Sequence, residues 1–276
     1  MTLLFIVGKE QSLHQPMYLL LCMLAISDIS TPTSVVPKVL CIFWFDLKDI
    51  TLGGCLTQMF SIHVGAMIHS AILVTMAFDR YVAICNPLRY TTILSNARIA
   101  MLGLVGLIRA VIFVLPLPVL VSRLPFCANR IIPHTYCDHI VVAKMSCGDI
   151  TVNSVYALTL VFVTISLDLT LIGLSYRLII RAVLKISFQK AYQKAFNTCS
   201  AHMFVILVSY PVFIFSCLTH RFSHNVPPEV HIILTNLYYL LVPMFNPVVY
   251  GVKTKELREK ISKYFCRMSS PGVTDI

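Results

Sequence analysis

Residues 50–78 read ITLGGCLTQMFSIHVGAMIHSAILVTMAF, a stretch without a single Asp, Glu, Lys or Arg. A helix needs about 20 such residues to cross the roughly 30 Å of hydrocarbon in a bilayer. The stretch then meets Asp79-Arg80-Tyr81, a charged group that lipid tolerates only at an interface and only when paired. It therefore reads as a membrane span ending at a membrane face. Residues 195–220 and 230–252 are equally free of charge. Three further apolar segments carry one or two charges each: 17–40 (Asp28, Lys38), 99–120 (Arg109) and 151–180 (Asp168, Arg177). That makes six complete spans. Thr2–Val7 is apolar and runs into Lys9 and Glu10, so it reads as the tail of a seventh span, covering only about 10 Å. The expectation is a first helix that lacks its outer half, from a fragment or an internal start. A cleavable signal peptide is not expected of such a beginning.

Composition supports lipid as the solvent. Hydrophobic residues make up 57% of the 276 and charged residues 12%, and mean hydropathy is +0.80. Soluble domains carry about 25% charge. The net charge of +10 would suit nucleic acid, but its distribution argues against that partner. Placing Lys and Arg on alternate sides of the spans puts fifteen on one side (Lys9, Arg80, Arg89, Arg98, Arg177, Arg181, Lys185, Lys190, Lys194, Lys253, Lys255, Arg258, Lys260, Lys263, Arg267) and five on the other (Lys48, Arg123, Arg130, Lys144, Arg221). Such a bias is positive-inside. It predicts a cytoplasmic C-terminus and an extracellular N-terminus. No internal repeat and no soluble domain is visible, so residues 1–266 read as one membrane domain and 267–276 as a short tail.

The loops are short except 122–150, on the side with few positive charges. Residues 253–265 pattern as an amphipathic helix, with Leu257, Ile261, Tyr264 and Phe265 on one face. Cys266 after it reads as a free thiol or as a palmitoylation site. Cys55, Cys127, Cys137 and Cys147 fall on the outer side, where disulfides form. Four cysteines allow three pairings. A rival reading makes a metal site of Cys127, His134, Cys137, His139 and Cys147, although the spacing matches no familiar zinc pattern.

Several strings occur together. Pro16-Met17-Tyr18 opens the first complete span and Asp28 follows Ala25-Ile26-Ser27. Asp79-Arg80-Tyr81-Val82-Ala83-Ile84-Cys85 closes the next. Ser175-Tyr176 lies near the end of the fourth, Lys194-Ala195-Phe196-Asn197-Thr198-Cys199 opens the fifth, and Asn246-Pro247-Val248-Val249-Tyr250 closes the sixth. From Thr2 to Phe265 the chain resembles vertebrate olfactory receptors, a branch of rhodopsin-like G-protein-coupled receptors. The long outer loop, His220-Arg221-Phe222 and Gly251-Val252-Lys253-Thr254-Lys255 resemble the class I, fish-like group and its family 52.

The resemblance implies an all-α, seven-transmembrane bundle at the plasma membrane. It implies disulfides Cys55–Cys137 and Cys127–Cys147, pinning the long loop as a lid. It also implies coupling of a small odorant to a stimulatory olfactory G protein, with no cofactor, metal or catalysis. Asp79 would latch Arg80 until Arg80 meets the G protein, with Tyr81 beside them; a simple interfacial anchor is the alternative. Tyr176 and Tyr250 would bond inward near Arg80 once the helix bearing His202 swings out. Asn246-Pro247 bends its helix. Asp28 admits two readings, a sodium site and a structural carboxylate bonded to Asn246.

A ligand would sit under the lid against His63, Ala66, Met67 and His139. Met59, Ile62 and Ser70 share the His63 face, and Ala157, Val161, Phe213, Ser216, Cys217 and either Leu237 or Tyr238 would form the opposite wall. Arg221 at the mouth would bind a carboxylate in a bidentate pair, which favours a medium-chain carboxylic acid. The plainer alternative for Arg221 is a snorkelling interfacial residue, and for His63 a satisfied bundle histidine. Two readings from other classes stand beside the receptor. A transporter predicts repeats and broken helices, and a chain missing half a helix predicts a non-functional receptor.

Overall fold

The computed structural model describes residues 2–10, 13–127, 131–132, 134–185, 189–222, 228–253, 258–260 and 262. Six helical segments within it are long and apolar enough to cross a membrane. They are α2 (Pro16–Phe45), α3 (Leu52–Cys85), the pair α5 (Asn96–Val114) and α6 (Pro116–Ser122), α8 (Thr151–Val183), α9 (Gln189–Phe222) and α10 (Pro228–Lys253). A short α1 (Thr2–Lys9) packs on α2. The short helices α4 (Tyr90–Ile93) and α7 (His139–Ala143) lie in loops.

Local chemistry sets the ends. Thr51 caps α3 by accepting from the Gly54 N–H, and Ser95 caps α5 by accepting from the Arg98 N–H. Pro16 starts α2, where its missing N–H costs nothing. Asp46 ends α2 in the left-handed conformation, at φ 54°, which Asp tolerates. Pro116 cannot continue the helical bonding of α5, so the span breaks at Leu115.

α3 is the central post. Its 34 residues touch α2, α5, α6, α8 and α9. Gly65 lets α2 come close, since a Cβ there would collide with the Thr31 hydroxyl; small residues at helix contacts serve this purpose in membranes. The lipid side is equally legible. α5 buries only Ile99, Gly106, Ala110 and Val114, one stripe at helical spacing, while Leu104, Val105, Ile108 and Ile112 stay exposed. A helix apolar all round needs an apolar solvent.

The expected spans are present with longer ends. α2 continues to Phe45, α3 to Cys85, and α9 begins at Gln189 inside the basic stretch. The expected loop 87–96 contains a 3-10 turn and α4, and the lid contains α7 and a bridge between Phe126 and Ser146. Of the C-terminal amphipathic helix, 258–260 and 262 are helical. Leu257, Ile261, Tyr264, Phe265 and Cys266 lie outside the described residues.

Candidate functional site

The lid is held from several sides. Cys137 is joined to Cys55 on α3 and Cys127 to Cys147 within the loop, with Cα–Cα distances of 5.4 and 5.9 Å. The bridges consume the thiolates that the metal reading required, so a zinc site built on these cysteines is set aside. Gln58 on α3 accepts from the Cys137 N–H at 2.9 Å and donates to the Ser34 carbonyl of α2 at 2.8 Å. Thr135 donates to Asn236 of α10 at 3.1 Å. Asp138 caps α7, and the Tyr136 ring packs edge-on against Tyr239 at 5.4 Å. Burial pushes the Tyr136 phenol well above its usual range, so it stays neutral.

Beneath the lid is a cavity of about 140 Å³. A cavity of about 150 Å³ accepts a benzene-sized guest, so the space suits a small organic molecule. His63, Ala66 and Met67 of α3 line it, with His139 of the lid, Ala157 and Val161 of α8, and Phe213, Ser216 and Cys217 of α9. Tyr238 of α10 also faces it, whereas Leu237 is 43% exposed and turns away, which decides between the two. Met59 and Ile62 are fully packed in the core instead of lining the space. The His63 Nδ1 sits 2.7 Å from the Met59 carbonyl, a bond within its own helix. Arg221 stands in the last turn of α9, and its side chain lies outside what the structure describes.

The cavity floor is more polar than the sequence suggests. His69, Ser70, Asp168, Ser209 and Tyr210 all line it. Asp168 accepts from Ser70 and faces Arg109 of α5 at 4.0 Å. These are the two charges that stood out within their spans, and they answer each other. Nearby, both oxygens of Asp28 accept from one amide nitrogen: Asn246 Nδ2 lies 2.9 and 3.0 Å from them. His69 Nδ1 adds a contact at 3.5 Å that sequence reasoning missed.

At the opposite end of α3, Arg80 Nη2 is 3.0 Å from Asp79 Oδ2, and both side chains are buried. Tyr90 of α4 donates to Asp79 Oδ1 at 2.7 Å. Burial and then the Asp79 carboxylate push the Tyr90 phenol above its usual value, which keeps it a donor. The Tyr176 hydroxyl lies 2.8 Å from His202 Nδ1 of α9, and the two rings stack at 5.9 Å. Tyr250 is buried in the same core, while Pro247 lies inside the continuous α10 next to Asn246. Tyr81 is half-buried and packs near Phe78, at 6.2 Å between ring centroids.

An olfactory receptor family model matches residues 1–268 of this chain. The chain belongs to the olfactory receptor family. It is 49% identical to human olfactory receptor 52P1 over 272 residues, which covers 99% of this chain and 85% of that protein. Human olfactory receptor 52D1 is 48% identical over 262 residues (95% and 82%) and rat olfactory receptor 51E2 is 46% identical over 261 (95% and 82%). The receptor is therefore a multi-pass membrane protein, not an enzyme, that takes small-molecule odorants and acts through G proteins.

Proposed function

We propose that this receptor detects a small, partly apolar odorant, with medium-chain carboxylic acids as the class, and activates the stimulatory olfactory G protein at the plasma membrane. The observation that carries this is the mostly apolar cavity under a doubly bridged lid. Arg221 follows the cavity-lining Cys217 by one helical turn on α9. A guanidinium there meets a carboxylate at the mouth, and an acyl chain follows the apolar walls inward. The fifteen-to-five bias of positive residues supports an outside lid and N-terminus and a cytoplasmic C-terminus.

In this reading the buried Asp79–Arg80–Tyr90 group is the resting latch. Tyr176 is occupied by His202, and Tyr250 waits in the same core. Outward movement of the lower part of α9 withdraws His202, and both tyrosines then turn to Arg80 as it leaves Asp79 for the G protein. Cyclic AMP measured in cells against straight-chain acids tests the ligand class. Arg221→Ala is expected to raise the effective acid concentration at least about tenfold, the usual worth of a charged hydrogen bond. An acid response of unchanged potency in that variant would sink the carboxylate assignment.

A further inference from the structure

The cavity has a second polar pole, and the carboxylate reading does not use it. Asp168 of α8 with Ser209 and Tyr210 of α9 line the floor, and they are only 1%, 4% and 8% exposed. Ser70 satisfies one Asp168 oxygen, Oδ2. Among the described residues Oδ1 and the Ser209 hydroxyl make no hydrogen bond, and the Tyr210 hydroxyl lies beside Ser70 and Asp168 without one of good geometry to either. Arg109 does not line the cavity, and its Nη1 lies 4.0 Å from Oδ1. That is close enough to balance the charge and too far to hydrogen-bond, which takes about 2.7–3.2 Å. The charge of the floor is therefore balanced while its hydrogen-bonding capacity is not. Buried polar atoms are nearly always paired in folded proteins, so Asp168 Oδ1 and Ser209 unfilled on the cavity floor, with Tyr210 poorly aligned beside them, mark the place where a guest completes them.

We propose that the floor is a subsite for a neutral hydroxyl at the far end of the odorant. A hydroxyl carries one donor and two acceptor lone pairs. Its O–H donates to Asp168 Oδ1, and its oxygen accepts from Ser209 and Tyr210. An ammonium would add an unbalanced positive charge beside Arg109, and a second carboxylate would face Asp168 directly. Along α9, Tyr210 lies two turns, about 10 Å, inward of Cys217, and Arg221 lies one turn outward of it. The two poles thus sit at opposite ends of one apolar passage. This rests on the odorant reading above and narrows it to ω-hydroxy acids. A site built to bond a hydroxyl discriminates strongly against the analogue without one, because its own polar groups then stay unpaired.

The test uses the full chain in lipid nanodiscs, titrated with octanoic, ω-hydroxyoctanoic and ω-methoxyoctanoic acids and followed by thermal unfolding. The hydroxy acid is expected to bind about tenfold tighter than octanoic acid. The methoxy acid keeps the acceptors, lacks the donor and should lose that gain. Ser209→Ala should reduce the ratio of hydroxy acid to octanoic acid affinity, whatever it does to both together. Equal affinity of the hydroxy and methoxy acids, or of the hydroxy acid and octanoic acid, overturns the subsite on wild-type protein alone. Binding of octanoic acid separately checks the reading beneath. If no acid binds, octanol is compared with octyl methyl ether: tighter octanol binding upholds the subsite while the carboxylate assignment falls, and equality overturns the subsite too.

Discussion

The two ends of the bundle set their polar groups in different surroundings, one against a cavity and the other around an ion pair. Under the lid, Asp168 Oδ1, Ser209 and Tyr210 face a cavity with hydrogen bonds unmade. Around Arg80 the polar groups pack against one another, Asp79 with Arg80 and Tyr90 and Tyr176 with His202, while Asp79 Oδ2, His202 Nε2 and the Tyr250 hydroxyl make no hydrogen bond among the described residues. The first arrangement is stabilised by something that arrives. The second is held by an ion pair and hydrogen bonds within the protein and changes by exchanging those partners. A ligand shifts such an equilibrium only by the difference in its affinity for the two states. α9 reaches both ends, carrying Tyr210, Phe213 and Cys217 at the cavity and His202 beside Tyr176. It is the element through which filling one end can loosen the other.

The comparison breaks first at the lid. Cys137→Ser opens a bridge whose cysteines are 82 residues apart, against 20 for Cys127–Cys147. Loop closure predicts about 4–5 kcal/mol for the long bridge and about 3 kcal/mol for the short one. Surface expression and thermal unfolding should fall in that order, with odorant response lost in Cys137→Ser and weakened in Cys147→Ser. A reversed order would place the lid's anchorage in Gln58 and the α10 contacts instead.

Next comes the latch. Asp79→Ala leaves a buried guanidinium without its counter-charge, a loss of about 3–5 kcal/mol. Cyclic AMP without ligand is expected to rise, together with reduced surface expression. Tyr90→Phe removes a single hydrogen bond, about 1 kcal/mol, and should raise basal signalling by a smaller factor with expression intact. Basal levels equal to wild type in both variants would make Asp79–Arg80 an interfacial anchor with no switching role.

The six spans were legible because lipid forbids charge and the sequence obeys. Their ends were not, because helices persist into water wherever the residues favour them. Gln189-Lys190-Ala191 opens α9 among good helix formers, where counting charges finds only a loop. His63, Ala66, Met67 and Ser70 could be grouped from helical spacing alone. Partners across helices could not, since one helix's period does not state its neighbour's rotation. Tyr238 and Leu237 show the scale: a turn of about 100° between adjacent residues separates cavity from lipid. Tyr90 escaped because α4 lay in an assumed loop, and His69 because it sits far from Asp28 in sequence. Arg109 and Asp168 were each visible as charges out of place, the signal that could have paired them.

The smallest effect sharpens the contrast most. Lys48 Nζ lies 2.7 Å from Asp46 Oδ1, closer than Arg80 to Asp79 at 3.0 Å, yet its side chains are 70% and 80% exposed instead of 9% and 1%. Water and salt screen such a pair, and holding two long side chains together offsets much of what remains. The hydrogen bond and charge of Asp46 hold the Lys48 ammonium above its ordinary pKa of 10.5. A raised pKa means that the pair's contribution is fully present below the unfolded value and is lost only as pH climbs through the folded one. Thermal unfolding of Lys48→Ala should therefore match wild type at every pH from 6 to 8, at low and at high salt. If that variant instead lowers the unfolding temperature as Asp79→Ala does, distance and not burial would govern the ion pairs of this receptor.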